Sequence, residues 1–538
     1  MFSSLARLHQ RRPYARSLTI AVVMTIGIIT LLSAWALASP VGSSPDDDFH
    51  LPSIWCAAGS DTEHCNISAD GRQATVPSLV LAAPSCFALH SDISAQCQDV
   101  LSKDPLPTNR WNGQFAIYPP VFYRTMNLLV TENVIASSLA MRFFNALLAA
   151  YLFLAILILA PRSIRQAVFV STLVGSVPLG LFIVASNNPS SWSVIGLSTY
   201  WAFLLIALES TERPIIISSY CLAGLTALMA AGSRADAAAY IVISTVAVVL
   251  LTLNNPDGAV RAIFRARLIP ITIVIGLAIV AFLRSSQASV ATGGFQGATI
   301  ASTLGPLGTL SRIRDLIAGM QAKAVMDWLM YIPEFTAGAF GGWGLGWFDT
   351  PMPSLVVWTV FPAVLILLFV GLGSMYRGKW LAVAFVGLLV AAVPTWIAVT
   401  GGHTPGTFLQ PRYIYPLVLA LIGVALTRQW RGDTFRLTTS QWVALVVALS
   451  TVHSVALHAN MRRYLTGTDV YRFNLNANYE WWWNSGPSPM LVWLLGSAAF
   501  TLLATLALAS FRGKHDLTSK ASWNDSPAQA TLVEAFPK

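Results

Sequence analysis

The sequence predicts an all-α polytopic membrane protein with about twelve transmembrane helices. Three observations carry the membrane assignment. Of 538 residues, 55% are hydrophobic and only 11% are charged, with a mean hydropathy of +0.61, whereas soluble domains carry about 25% charged residues. Apolar stretches of about 17–25 residues, enough to span a hydrocarbon core of about 30 Å, begin near residues 17, 133, 167, 191, 215, 236, 268, 355, 380, 413, 441 and 488. Basic residues also crowd the turns on one side, as in Arg261, Arg265, Arg267 and Arg428, Arg431, Arg436, the positive-inside signature.

That charge bias fixes the expected topology. The cytoplasmic N-terminus covers 1–16 and the first helix 17–39. Helices two to seven fill 133–283, helices eight to eleven 355–457, and the last helix 488–511, followed by a polar cytoplasmic tail over 512–538. Both termini are thereby placed on the cytoplasmic side of a bacterial plasma membrane. The first apolar run ends Ala36-Leu37-Ala38, which also fits a signal-peptidase site, but its uncharged stretch exceeds the about 7–15 residues of a usual signal core. It is read as a retained anchor. The net charge of +9 is scattered between apolar runs rather than gathered in a patch, which excludes nucleic acid as a partner.

Three segments on the outer side are long enough to carry chemistry: 40–132, 284–354 and 458–487. They read as loops bearing short interfacial helices. The first holds four of the five cysteines, Cys56, Cys65, Cys86 and Cys97. On an oxidising face these predict two disulfides of unreadable connectivity; no Cys-x-x-Cys pair supports a zinc site. Cys221, inside an apolar run, reads as a packing residue.

The same loop opens on Pro40-Val41-Gly42-Ser43-Ser44-Pro45-Asp46-Asp47-Asp48-Phe49-His50. Adjacent carboxylates repel one another, so such a run requires solvent or a cationic partner. A carboxylate at the lip of a membrane cavity can take a proton from an acceptor hydroxyl, or hold a divalent cation against a phosphate. The structural alternative is a solvated turn in which Asp caps the next helix.

Pro45, Asp46, Asp47 and His50, placed just after the first helix, resemble the Pro-Asp-Glu-x-x-His motif of a family of bacterial multi-pass proteins of unknown function grouped with the GT-C glycosyltransferases. Asp47 stands where that family usually has Glu. Tyr118-Pro119-Pro120-Val121-Phe122-Tyr123 is similar to the segment leading into the family's second helix. Arg142, Asn188-Pro189, Ser233-Arg234-Ala235-Asp236 and Gln410-Pro411-Arg412-Tyr413 follow in matching order. The resemblance implies transfer of a sugar from a polyprenyl-phosphate donor in the membrane lipid to a polysaccharide or glycolipid acceptor of the cell envelope. It implies Asp46, Asp47 and His50 as catalytic residues. The cofactor stays open, with a divalent metal as the candidate.

Independently of any family, a lipid phosphate near apolar helices needs arginine not engaged elsewhere. Arg142, Arg234 and Arg412 each fall in or at the outer end of a helix, where a charge is costly unless partnered or functional. Snorkelling, or pairing of Arg234 with Asp236, is the structural alternative. Tyr118, Tyr123, Trp343 and Trp347 are the aromatic candidates for substrate contact, the tryptophans within Gly341-Gly342-Trp343-Gly344-Leu345-Gly346-Trp347-Phe348-Asp349; aromatic rings also anchor membrane interfaces. A transporter or flippase, or a non-catalytic scaffold, are the competing expectations.

Overall fold

The computed structural model describes residues 2–60, 64–115, 117–252, 270–280, 322–407, 409–427 and 437–509. The basic turns near 261 and 431, residues 284–321 of the second long loop and the C-terminal tail lie outside them. Among the described residues, nine helices are long and apolar enough to cross a membrane: Leu18–Leu37, Val134–Leu159, Ser190–Glu209, Arg213–Ser233, Ala235–Thr252, Ser354–Leu372, Arg377–Thr400, Thr439–Leu465 and Pro489–Ala509.

The other three expected crossings take different forms. The run near 167 is divided into Arg162–Gly175 and Leu179–Val184. Pro178 is the reason, since it has no N–H to donate and its ring clashes with the preceding turn. The break is tolerated because protein encloses it: the Tyr415 hydroxyl donates to the Gly175 carbonyl at 2.8 Å, supplying a partner that lipid could not. Pro411–Leu426 has 16 residues, and near 268 the described helix is Pro270–Val280.

Ser190–Glu209 is the axis of the bundle and is buried from Ser190 to Leu208. It packs against Val134–Leu159, Arg213–Ser233, Ala235–Thr252 and Pro411–Leu426. Its apolar residues face every direction, as a fully enclosed helix requires, and its small residues let neighbours approach closely. A Cβ on Gly196 would stand 2.7 Å from the Thr226 carbonyl oxygen. Ser354–Leu372 and Arg377–Thr400 lie at the periphery and expose Trp358, Phe369 and Leu388. Cys221, expected to pack inside, is exposed on Arg213–Ser233.

Residues 40–132 form a cap over one end of the bundle. Beside the short helices Asp47–Trp55, Ser78–Ala82, Asn112–Phe115 and Pro120–Asn127 the cap contains an antiparallel sheet of Asn66–Ile67, Ala74–Val76 and Leu106–Thr108 in that order. Strands of two or three residues are too short for alternation to reveal them. The disulfides join near neighbours, Cys56 to Cys65 and Cys86 to Cys97.

Buried polar contacts tie this cap to the helices. Arg142 donates through Nη1 to the carbonyls of Ala36 and Ser39 at 2.9 and 2.6 Å, and through Nη2 to that of Pro40 at 2.6 Å. It thereby satisfies backbone groups at the end of the first helix. Arg463 donates to the carbonyls of Phe87 and Ile93 within the second disulfide loop and to Asp349 at 2.9 Å. Asp349 also accepts the Leu89 N–H at 3.1 Å. Trp481 is buried beside Phe87 of the cap and Tyr464, and Trp483 donates to the Leu37 carbonyl at the end of the first helix.

Candidate functional site

The site forms where the cap meets the helix ends. Asp46 adopts the left-handed conformation, φ 61°, immediately before Asp47–Trp55. Two contacts hold this unusual backbone. The Ser44 N–H donates to Asp47 Oδ2 at 3.0 Å, and Asn188 Nδ2 donates to the Pro45 carbonyl at 2.9 Å. The turn directs the three successive carboxylates into different surroundings.

Asp46 Oδ2 accepts from Arg412 Nη2 at 2.5 Å, and its Oδ1 from Arg110 Nη2 at 3.3 Å. Arg110 Nε also reaches Asp48 Oδ2 at 2.6 Å. Burial pushes the Asp46 carboxyl upward, but Arg412 above all, with Arg110, holds it below the ordinary carboxylate value, as nearby cations do. Its side chain keeps about a third of its surface open, 34%. Asp47 is fully enclosed and its Oδ1 makes no hydrogen bond among the described residues. Burial raises it to about 7. Asp48 is also raised, by burial first, against the pull of Arg110.

His50 lies one turn further on and is buried. Its Nδ1 is 2.8 Å from the Tyr123 hydroxyl, and its ring meets Phe49 and Tyr118 edge-on. Burial lowers it to about 3, so it is a neutral imidazole. Burial also lifts the Tyr118 phenol to about 12 and the Tyr123 phenol well above its ordinary value, so both hydroxyls stay protonated and can donate hydrogen bonds.

Two more arginines complete the cluster. Arg234 follows the Arg213–Ser233 helix and grips Asp236 through Nε at 2.9 Å and Nη2 at 2.6 Å, with Nη1 3.3 Å from the Ser190 hydroxyl. Its guanidinium also stands over the rings of Tyr118 and Tyr413 at 5.7 and 5.2 Å, within cation–π range. Arg412, at the start of Pro411–Leu426, faces Tyr413 from 5.3 Å. Its Nε and Nη1, and the nearby Gln410 Oε1, are buried and make no hydrogen bond among the described residues. On the far side of Arg412 a small cleft is walled by Pro45, Trp343, Gly344, Phe348 and Gln410.

Of the candidates read from the sequence, Asp46, His50, Tyr118, Tyr123, Arg234 and Arg412 thus meet in one place, with Asp47 directly behind. Trp343 borders the cleft. Trp347 instead donates to the Gly42 carbonyl at 2.9 Å, and Arg142 uses both Nη atoms on backbone carbonyls. Sequence reasoning missed Arg110, which pairs with Asp46 across 64 residues, and Arg463; neither lies in a motif. Tyr413, between the two guanidiniums, was readable only as the residue after Arg412.

The donor set does not fit a divalent cation. Both Asp46 oxygens are engaged by guanidinium groups, and among the described residues no cluster of three His, Cys, Asp or Glu side chains is placed to hold a metal. What the site offers is a partly accessible carboxylate, cationic donors with unused hydrogen-bonding capacity and flat aromatic walls.

No curated protein and no solved structure matches this chain. The pattern of one family, described as predicted membrane protein DUF2142 and of unknown function, matches residues 29–421, a span that holds every residue of the site. The chain belongs to the DUF2142 family of membrane proteins.

Proposed function

We propose that this protein is a membrane glycosyltransferase of GT-C type, which moves a sugar from a polyprenyl-phosphate donor to a polysaccharide or glycolipid acceptor on the outer face of a bacterial plasma membrane. The observation that supports it best is the Asp46–Arg412 pair. Residues 366 positions apart join a partly open carboxylate to a buried guanidinium whose Nε and Nη1 make no hydrogen bond among the described residues. The matching topology has twelve crossings, both termini in the cytoplasm and the cap outside.

In this reading Arg110, half exposed at 52%, swings aside as the acceptor hydroxyl approaches Asp46. Asp46 takes the hydroxyl proton while the acceptor oxygen bonds to the anomeric carbon. The bond from that carbon to the donor phosphate oxygen breaks, and the phosphate leaves with the electron pair, stabilised by Arg412 and Arg234. One displacement inverts the anomeric centre. Asp47 and neutral His50 act as positioning residues for the Asp46 turn and for Tyr123, and no step passes through a metal.

The test is sugar transfer by purified protein in detergent from a panel of polyprenyl-phosphate sugars, comparing wild type with Asp46→Asn at equal folded yield. Transfer by wild type and a loss of at least about 100-fold in D46N, the scale of a general base, is the expected result. Wild-type protein that transfers nothing, yet moves lipid-linked sugars between leaflets of vesicles, would replace this reading with a flippase.

A further inference from the structure

Beside the site, the bundle holds a cavity of about 720 Å³ between the Tyr118-Pro119-Pro120 segment, the Arg213–Ser233 helix and the Pro270–Val280 helix. Its walls are apolar along the helices, with Ala227, Leu228, Ala231, Val274 and Leu277 among them. The polar side chains that line it, Asn112 and Tyr118, both come from the cap. The cavity is therefore apolar within the bundle and polar at one rim. Tyr118 is the link to the site: one side of its ring environment is this cavity, the other is the Arg234 guanidinium at 5.7 Å. Beyond Arg234, across Tyr413, stands Arg412 with its two unused donors.

From this we infer that the cavity is the binding groove for the hydrocarbon chain of a polyprenyl phosphate, seated with its phosphate past Tyr118 toward Arg234 and Arg412. The inference rests on the proposed transferase reading for the identity of the lipid and adds where its chain lies. Charge complementarity sets the direction. An anionic head needs the guanidinium groups that stand beyond Tyr118, and a tail needs the dry wall between the helices, where each buried methylene contributes about 0.8 kcal/mol. Arg234 alone would be a poor anchor because Asp236 already holds two of its nitrogens. The unused Nε and Nη1 of Arg412 supply the remaining hydrogen-bond donors.

Gly224 gives a direct handle, because it lines the cavity and a Cβ added there meets nothing within 4 Å. A larger side chain at this position fills the groove without displacing protein atoms at its own backbone. Leu277 lines the opposite wall and is largely exposed, so Leu277→Trp narrows the groove from a second helix.

The experiment is photolabelling of the full chain in phosphatidylcholine nanodiscs by a polyprenyl phosphate carrying a diazirine in its chain, read by peptide mass spectrometry. Expected are label on residues 224–231 and 274–278, and at least a five-fold reduction in Gly224→Leu and in Leu277→Trp, each with a wild-type melting midpoint. Label confined to other helices, or complete competition by phosphatidylglycerol at equimolar concentration, would overturn the inference. Correct labelling by a protein that transfers no sugar would keep the groove and reject the transferase; transfer by both groove variants at the wild-type rate without such labelling would do the reverse.

Discussion

Replacing Arg142 by Gln separates a structural arginine from a phosphate-binding one. The side chain is 1% exposed and donates three hydrogen bonds, at 2.9, 2.6 and 2.6 Å, to carbonyls at the end of the first helix. A hydrogen bond from a charged group contributes about 1.5–3 kcal/mol, so the three together bound the effect at about 5–9 kcal/mol. Gln can restore one of them, which leaves a loss of about 3 kcal/mol or more and two buried carbonyls unpaired. Against a total stability of about 5–15 kcal/mol, that is a large fraction. Thermal unfolding in detergent, followed by tryptophan fluorescence, should show the midpoint of Arg142→Gln lowered by roughly 5 °C or more, with Arg142→Lys between it and wild type. An Arg142→Gln protein that expresses and melts as wild type while losing lipid-phosphate binding would refute the structural role.

Other perturbations test the cap and its turn. Asp47 is raised to about 7 in the folded protein by burial, above its unfolded value of about 3.9, so folding favours the protonated form. Its contribution is most favourable below about pH 4 and is lost as pH rises to about 7, then stays constant. Asp47→Asn still accepts the Ser44 N–H, so its midpoint relative to wild type should climb across that window, by up to about 4 kcal/mol in free energy; a flat difference from pH 4 to 8 would contradict the assignment. Removing the Cys86–Cys97 bridge with Cys86→Ser and Cys97→Ser, an 11-residue separation, should cost about 2–3 kcal/mol, measured as a lower midpoint that matches reduced wild type. Gly42 sits at φ +77° and a Cβ there would stand 2.8 Å from the Pro84 ring, so Gly42→Ala should lose about 1–3 kcal/mol in the same melting assay.

The bundle was legible because lipid imposes long apolar runs, and nine of the twelve expected crossings form helices of spanning length. The run near 167 looked continuous because its hydropathy does not register the single Pro178 that divides it. The cap was only partly legible. Cysteine placement predicted two bridges, but pairing depends on how 40–132 folds, and that fold includes strands of two or three residues. At the site, residue type and helix position pointed to Arg234 and Arg412, since isolated charges at helix ends stand out. Arg110 did not, because an arginine in a polar loop carries no local signal and its partners Asp46 and Asp48 are brought to it only by the tertiary fold. The same limit applies to Trp347, whose hydrogen bond to the Gly42 carbonyl joins residues 305 positions apart and leaves no local signal.

The central claim is that Asp46 and Arg412 act together on one reaction. Sugar transfer measured for Asp46→Asn, Arg412→Gln and the double variant tests it most directly. Groups that act as a unit are strongly non-additive. Each single substitution is expected to lower kcat by at least about 100-fold, with the double variant no slower than the slower single one. Independent, multiplying losses in the double variant, or a single variant that transfers sugar at the wild-type rate, would contradict it.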